Sequence, residues 1–163
     1  LGLTRLQQGT TRYPLQKADL SGFAAACCEE FMPADDQGIT LTTDIQPEVQ
    51  ATFNPSLMQR ALYNLLQNAY KYGKPGGHIT VTLREAGHGA ALSVADDGIG
   101  IAPEDQEKIW QRFWQADPSR SEDGGSGLGL SMVQEIAAFH GGRATVDSTP
   151  GQGSTFTITL PKR

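Results

Sequence analysis

The chain has 163 residues, of which 38% are hydrophobic and 19% are charged, and its formal net charge is −5. This length fits one domain of ordinary size, and the composition is that of a folded globular protein. The negative charge gives no general attraction for nucleic acid or an anionic membrane, and no apolar run approaches the ~20 residues that cross a bilayer. We therefore expect no nucleic-acid partner and no direct membrane contact by this segment.

The N-terminal residues predict a short lead-in followed by one domain. Residues 1–14 include Leu1, Leu3 and Leu6, which could form the tail of a helix, and Pro14 ends any such helix. The first residue is Leu1 and there is no signal peptide, so we expect a segment of a longer protein. The domain itself is expected to span residues 15–163.

The next part of the chain predicts one helix and two strands. Residues 17–31 carry apolar side chains at helical spacing, with Cys27 on the apolar face. A redox pair of Cys27 and Cys28 is the less favoured interpretation, and two reduced, buried thiols are the favoured one. Residues 39–45 alternate as a half-buried strand, and residues 49–53 form a second short candidate.

A long helix is predicted to begin at Pro55, because Asn54 is a good cap residue and proline suits the first helical position. It should end near Tyr72. Its core-facing arc holds Met58, Ala61, Leu62, Leu65, Ala69 and Tyr72, and its opposite arc holds Arg60, Asn64, Asn68 and Lys71. The amide oxygens and the lysine of that second arc could hold hydrated magnesium and phosphate, although from the helix alone an ordinary solvated face is preferred.

The second half of the chain interleaves strands and helices. Strands are predicted at residues 78–85, 90–96, 143–148 and 154–161, helices at 103–113 and 127–140, a polar loop at 117–126, and hairpin turns near Gly87 and Gly151. These elements predict an α+β fold, a two-layer sandwich in which a mixed, mostly antiparallel sheet carries helices on one face.

The sequence VADDGIGI, residues 94–101, places an aspartate at the end of a strand. Asp96 is followed by Gly98 and Gly100, which turn the chain sharply. A carboxylate held there can accept a hydrogen bond inside a cleft, and an adenine amino group is a suitable donor. A plain β-turn is the simpler explanation of this motif alone.

The sequence GGSGLGL, residues 124–130, crowds glycines before a helix. It lacks the lysine of a phosphate-binding P-loop, since Leu128 and Leu130 stand there instead. Glycines at a helix start still leave free backbone N–H groups and the positive helix end for a phosphate. A merely mobile helix start explains this stretch about as well.

The order of these motifs, with the aromatic segment IWQRFW and the terminal TPGQGSTF, closely resembles the catalytic ATP-binding domain of two-component sensor histidine kinases. The resemblance covers residues 15–161 and implies the Bergerat ATP-binding fold, with ATP and Mg²⁺ as ligands. It also identifies residues 1–14 as the end of a dimerisation helix and its linker.

The resemblance implies a role for individual residues. Asn68 matches the magnesium ligand, and Asp96 the carboxylate that binds the adenine amino group. Other nucleotide contacts are implied at Asn64, Lys71, Tyr72, Gly98, Gly100, Ile101, Phe113, Arg120, Gly125, Gly127, Leu128, Gly129, Leu130 and Thr155, with Gly151 and Gly153 in the last glycine motif. Phe113 begins the mobile lid, in which Arg120 is a cation.

The same fold family includes hydrolases that carry a glutamate one helical turn before the magnesium ligand, where this chain has Asn64. Asparagine cannot take a proton from water at neutral pH, so hydrolysis should be slow. None of His78, His88 and His140 has an orienting acid on a helix, and His140 is expected to be a favourable partner of a helix dipole.

The resemblance therefore implies that the γ-phosphate goes to a histidine on a dimerisation domain outside this chain, and from there to an aspartate of a response regulator. It further implies the cytoplasmic portion of a membrane-anchored sensor. Two alternatives stay open: a serine kinase of the anti-sigma-factor type, and a degenerate interaction module without catalysis.

Overall fold

A five-stranded sheet with three helices makes up most of the computed structural model, which describes residues 13–87, 89–112, 114 and 129–161. In chain order the elements are β1 (Gln16–Asp19), α1 (Leu20–Glu30), β2 (Thr40–Ile45), β3 (Gln50–Phe53), α2 (Pro55–Tyr72), β4 (His78–Ala86), β5 (Gly89–Asp96), two single-turn 3₁₀ helices (Pro103–Asp105 and Lys108–Trp110), α3 (Gly129–Phe139), β6 (Arg143–Thr149) and β7 (Gly153–Pro161). The lead-in helix predicted from residues 1–14 falls almost entirely outside the described residues.

The strand order of the large sheet is β2-β4-β5-β7-β6, and only the pairing of β2 with β4 is parallel. A separate two-stranded antiparallel sheet joins β1 to β3. The predicted mixed, mostly antiparallel sheet is therefore confirmed, as are the hairpins that join β4 to β5 and β6 to β7. Strand β1 was not anticipated, because four residues without alternation give no sequence signal.

The core lies between one face of this sheet and the helices, as the sandwich prediction requires. Alternate residues of the central strands point inward and are buried, for example Ile79, Leu92 and Ile158. The opposite face of the same strands carries threonine, serine and alanine, as at Thr82, Ser93 and Thr157. Since all three helices pack on one side, this second face remains without a covering layer in the described part of the chain.

Helix α2 follows its sequence signal closely. The side-chain oxygen of Asn54 accepts a hydrogen bond from the Leu57 N–H at 3.0 Å, and Pro55 occupies the first turn. The predicted core arc is buried except at its end, where Tyr72 is only half-buried and Tyr70 is buried instead. The prediction for Tyr72 was wrong because α2 ends there, against a turn and not against the sheet.

Two other helix predictions need correction. Helix α1 begins at Leu20 and not at residue 17, since Asp19 caps it by accepting from the Gly22 N–H at 3.1 Å. Where a continuous helix is predicted over residues 103–113, the described part forms two separate 3₁₀ turns, Pro103–Asp105 and Lys108–Trp110. The second turn instead buries Ile109 and packs Trp110 edge-on against Phe156, with ring centroids 5.9 Å apart.

Cys27 and Cys28 are free and buried, as the favoured interpretation predicts. Burial raises the pKa of each thiol to about 11, and for Cys27 the neighbouring Cys28 and Glu30 add to the effect. Both side chains are therefore protonated thiols near neutral pH, and a thiol without thiolate character is a poor nucleophile.

His140 is buried and joins the end of α3 to the start of α2. Its Nε2 accepts the Asn54 backbone N–H at 3.0 Å, and its Nδ1 lies 2.7 Å from the Ile136 carbonyl oxygen. A ring that accepts at one nitrogen and donates at the other is neutral, and burial lowers the pKa of His140 accordingly. His140 therefore meets the end of α3 as a neutral ring whose Nδ1–H donates to a carbonyl oxygen of the last turn, and not as a cation.

Candidate functional site

Three motifs that are distant in the sequence meet at one end of the sheet. The turn after β5, residues 97–101, lies against the C-terminal end of α2, where the Ile99 N–H donates to the Tyr72 carbonyl oxygen at 3.3 Å. A Cβ at Gly98 would collide with that same oxygen. The absence of a side chain at position 98 thus lets Asp96 stand beside the end of the helix that carries Asn68.

The hairpin between β6 and β7 closes on the other side of this turn. The Gly151 N–H donates to the Ile99 carbonyl oxygen at 2.7 Å, and the Ile101 N–H donates to the Ser148 hydroxyl at 2.8 Å. Gly100 has φ of +74° and lies against the backbone of Thr149, where no side chain would fit. The turn is therefore held between α2 and the hairpin. The order of the motifs in the sequence alone could not show this.

Asp96 occupies the end of β5 at the centre of this arrangement. Its Oδ1 accepts the Gly98 N–H at 2.9 Å. Burial raises the pKa of Asp96, while the backbone N–H groups of Gly98 and Ser154 partly offset that effect and Asp97 adds to it. The result is a half-buried carboxyl group fixed in direction by backbone donors, which is a suitable acceptor for an amino group of a ligand.

Three of the four residues in the predicted polar arc of α2 are half-buried. Asn64, Asn68 and Lys71 are all partly covered, whereas Arg60 is exposed. Asn64 donates from Nδ2 to the Gly129 carbonyl oxygen at 3.2 Å. That contact brings the first described turn of α3, with Gly129 and Leu130, next to the arc.

Asn68 differs from Asn64 in the hydrogen bonding of its side-chain amide. Its amide makes no hydrogen bond to another residue within the part of the chain that the structure describes, although the side chain is half-buried. In that part no three His, Cys, Asp or Glu side chains come together as a metal site. A magnesium ion here would rest on the Asn68 amide oxygen and on oxygens of a bound phosphate, and such a sparse donor set fits this ion.

The cationic Lys71 and the aromatic Tyr72 lie at the C-terminal end of α2. The Lys71 ammonium lies 5.4 Å from the centroid of the Tyr72 ring, within the range of a cation–π contact. Both residues lie at the same end of the helix as Asn68, as the resemblance implies.

The last glycine motif puts Ser154, and not the predicted Thr155, next to Asp96. Thr155 pairs with Ala95 and alternates with the buried Ser154 and Phe156, so its side chain lies on the uncovered face of the sheet. Ser154 instead pairs with Asp96 and is 6% exposed. The structure separates Thr155 from the carboxyl group and puts Ser154 beside it; counting the strand alternation back from Phe156 could have found this.

The segment before the predicted lid is held to α3 by a salt bridge. Arg112 Nη2 lies 3.3 Å from Glu135 Oε1, and Glu135 is largely covered. The predicted lid and phosphate residues Phe113, Arg120, Gly125, Gly127 and Leu128 lie outside the described residues. Among the described residues, no helix is both long and apolar enough to span a membrane.

Comparison with known proteins finds a family model and related sequences. Residues 53–163 match the family model of histidine kinase-, DNA gyrase B- and HSP90-like ATPases. The chain is 40% identical over 162 residues to the sensor-like histidine kinase SenX3 of Mycobacterium tuberculosis, covering 98% of this chain and 39% of that protein. It is 41% identical over 162 residues to the sensor histidine kinase RppB of Synechocystis, covering 98% of this chain and 36% of RppB.

Solved structures show the same relationship. The mycobacterial sensor histidine kinase MprB superposes with a TM-score of 0.78 at 30% identity, over 92% of this chain and 99% of that one. Full-length ShkA in complex with AMPPNP superposes with a TM-score of 0.80 at 27% identity, over 98% of this chain and 33% of ShkA. The family model and the shared fold define an ATP-binding catalytic domain.

The chain belongs to the family of histidine kinase-, DNA gyrase B- and HSP90-like ATPases, and within it to the catalytic domains of sensor histidine kinases. It spans only about 36–39% of the length of the two curated relatives described above.

Proposed function

We propose that this domain binds Mg²⁺-ATP between α2, the turn after β5 and the start of α3, and that it donates the γ-phosphate to a histidine on a dimerisation domain of the same protein. The phosphate then passes to an aspartate of a response regulator. The observation that carries the proposal is that the turn after Asp96 is hydrogen-bonded both to the end of α2, the helix that carries Asn68, and to the hairpin around Gly151.

The main residues of the site each have a part in this proposal. Asp96 accepts the amino group of the base, and the glycines at 98 and 100 let the backbone come close to it. Asn68 would hold the magnesium ion, which neutralises charge on the phosphates and orients them. Lys71 adds a positive charge at the same end of the helix.

Transfer to a histidine is favoured over hydrolysis because of Asn64. Its amide cannot act as a general base, and its Nδ2 is engaged with the Gly129 carbonyl oxygen. The relatives at about 40% identity are named sensor histidine kinases, which supports this proposal over a serine kinase of the anti-sigma-factor type. The presence of both Asn68 and Asp96 supports it over a degenerate module.

The parent protein is proposed to be a sensor kinase anchored in a membrane, with this domain in the cytoplasm. The support is the resemblance to sensor kinases. Residues 1–14 are proposed to be the end of the dimerisation helix and its linker.

The magnesium assignment predicts a selective defect in Asn68→Ala. Magnesium should strengthen binding of a non-hydrolysable ATP analogue to the unaltered chain, and this gain should fall by at least about tenfold in the variant, since even indirect partners of a metal ligand change affinity 10- to 100-fold. Calorimetric titration with and without magnesium measures it.

Gln67→Ala is the matched control, because Gln67 is the adjacent amide and is exposed on the same helix. It should keep the full magnesium effect. If Asn68→Ala also kept it, Asn68 would not be the ligand, whereas a loss of magnesium-free ADP binding in Asn68→Ala would indicate a damaged fold.

A further inference from the structure

The hydroxyl group of Ser148 joins three segments of the proposed base pocket. It accepts the Ile101 N–H at 2.8 Å, donates to the Gly153 carbonyl oxygen at 2.9 Å, and lies 2.8 Å from the Ser154 hydroxyl. Ser148 and Ser154 are cross-strand partners in β6 and β7, and Ser154 is in turn the partner of Asp96 in β5. A row of polar side chains thus runs from Ser148 to the carboxyl group.

The direction of the hydrogen bonds along this row follows from which groups can donate and which can only accept. A carbonyl oxygen can only accept, so the single Ser148 proton goes to Gly153. The Ile101 N–H can only donate, so it takes up acceptor capacity on the same oxygen. All three contacts of Ser148 are satisfied together only when the Ser154 hydroxyl donates its proton to Ser148.

This direction leaves the Ser154 hydroxyl oxygen with only lone pairs for any further contact, and strand pairing sets Ser154 beside Asp96. The Asp96 carboxylate likewise offers only acceptors, and its Oδ1 already takes the Gly98 N–H. Two acceptors side by side match a ligand group that donates two hydrogen bonds, such as an amino group. They oppose a carbonyl oxygen, because a buried acceptor that faces another acceptor loses its hydrogen bond with water and gains none.

We propose that Ser148 is a positioning residue for base selection: by taking the Ser154 proton, it makes the pocket accept a base edge that carries an amino group and reject one that carries a carbonyl oxygen. The inference rests on the proposed nucleotide site and names a determinant of its specificity. Ser148 acts through Ser154 and does not itself need to touch the base.

The test compares two nucleotides that differ at this edge, ADP with its 6-amino group and inosine diphosphate with its 6-oxo group. In the unaltered chain ADP should bind more tightly. In Ser148→Ala the Ser154 hydroxyl is free to rotate and donate to a carbonyl oxygen. The ratio of the Kd for inosine diphosphate to the Kd for ADP should therefore fall by about tenfold, the factor that corresponds to about 1.4 kcal/mol. A merely structural role would weaken both nucleotides and leave the ratio unchanged.

Three further variants keep the test decisive. Ser148→Thr retains a hydroxyl and should restore the ratio. Ser154→Ala removes the second acceptor and should lower the ratio even if Ser148→Ala does not fold. Ser93→Ala is the matched control, because the Ser93 and Thr157 hydroxyls form a similar 2.9 Å pair on the opposite face of β5 and β7; it should leave the ratio unchanged.

The outcomes separate the two proposals. A lowered ratio in Ser148→Ala and Ser154→Ala, with an unchanged ratio in Ser93→Ala, supports the role of Ser148. An unchanged ratio in Ser148→Ala and Ser154→Ala overturns that role while ADP binding by the unaltered chain leaves the nucleotide site intact. If the unaltered chain binds neither nucleotide, both proposals fail.

Discussion

Asp96→Asn should weaken the binding of ADP and of a non-hydrolysable ATP analogue by about 10- to 150-fold. A hydrogen bond to a charged group contributes about 1.5–3 kcal/mol, and 1.4 kcal/mol corresponds to a factor of ten. The asparagine keeps the shape of the side chain, but it replaces one carboxylate oxygen with a donor, beside backbone N–H groups that also donate. Calorimetry with each nucleotide measures the change, and both nucleotides should be affected alike because both carry the base.

Asp97→Asn is the control for this substitution. It removes the same charge one residue away, so any general effect of charge on the phosphates is matched. The Asp97 carboxylate accepts the His78 N–H with both oxygens, at 3.1 Å each, and an asparagine retains one of these contacts. Its nucleotide affinity should change by less than about threefold, as is typical of exposed charges. Equal losses in Asp96→Asn and Asp97→Asn would contradict the assignment of the base to Asp96.

Gly153→Ala should destabilise the domain by at least about 3 kcal/mol and abolish nucleotide binding. Gly153 has φ of +104°, and an added Cβ would collide with the Asp96 carbonyl oxygen and lie 2.7 Å from the Asp97 Cα. A residue with a side chain at such a φ costs about 1–3 kcal/mol, and the collision with backbone adds to it. Because the clash pushes on β5 at Asp96, the defect should appear in both urea unfolding and ADP titration.

Gly151→Ala separates strain from collision. Gly151 lies in the same hairpin with φ of +80°, but nothing lies within 4 Å of its Cβ position. Its variant should lose about 1–2 kcal/mol from left-handed strain alone and should keep the pocket. The comparison is valid if the dependence of unfolding on urea concentration is the same in both variants. Similar losses of stability in the two variants would show that the close approach of Gly153 to β5 is not important.

The fold was largely predictable because its elements carry strong local signals. The Asn54-Pro55 cap, the alternation of β4 and β5, and the glycine turns each specify one conformation with little help from tertiary contacts. The weaker predictions fail where tertiary packing decides. The segment predicted as a helix over residues 103–113 has helical composition, yet residues 103–110 form two 3₁₀ turns while Ile109 and Trp110 reach into the core.

The site was predictable in its members but not in its connections. Motif order indicates Asn68 and Asp96, but no local pattern shows that Gly98 lies against the Tyr72 carbonyl oxygen or that Ser148 accepts the Ile101 N–H. Those contacts depend on the register of β7 between β5 and β6, which is a long-range property. The same register explains the shift from Thr155 to Ser154, since one position along a strand exchanges the two faces of the sheet.

Calorimetric titration of the unaltered chain with a non-hydrolysable ATP analogue, with magnesium and then with a chelator in its place, tests the central claim most directly. A pocket built from Asp96, Asn68 and the glycine turns should bind the analogue in the micromolar range, at about −8 kcal/mol, and more tightly with magnesium. Binding that is undetectable at millimolar concentration in both conditions, from a chain that is folded by circular dichroism, would contradict the account.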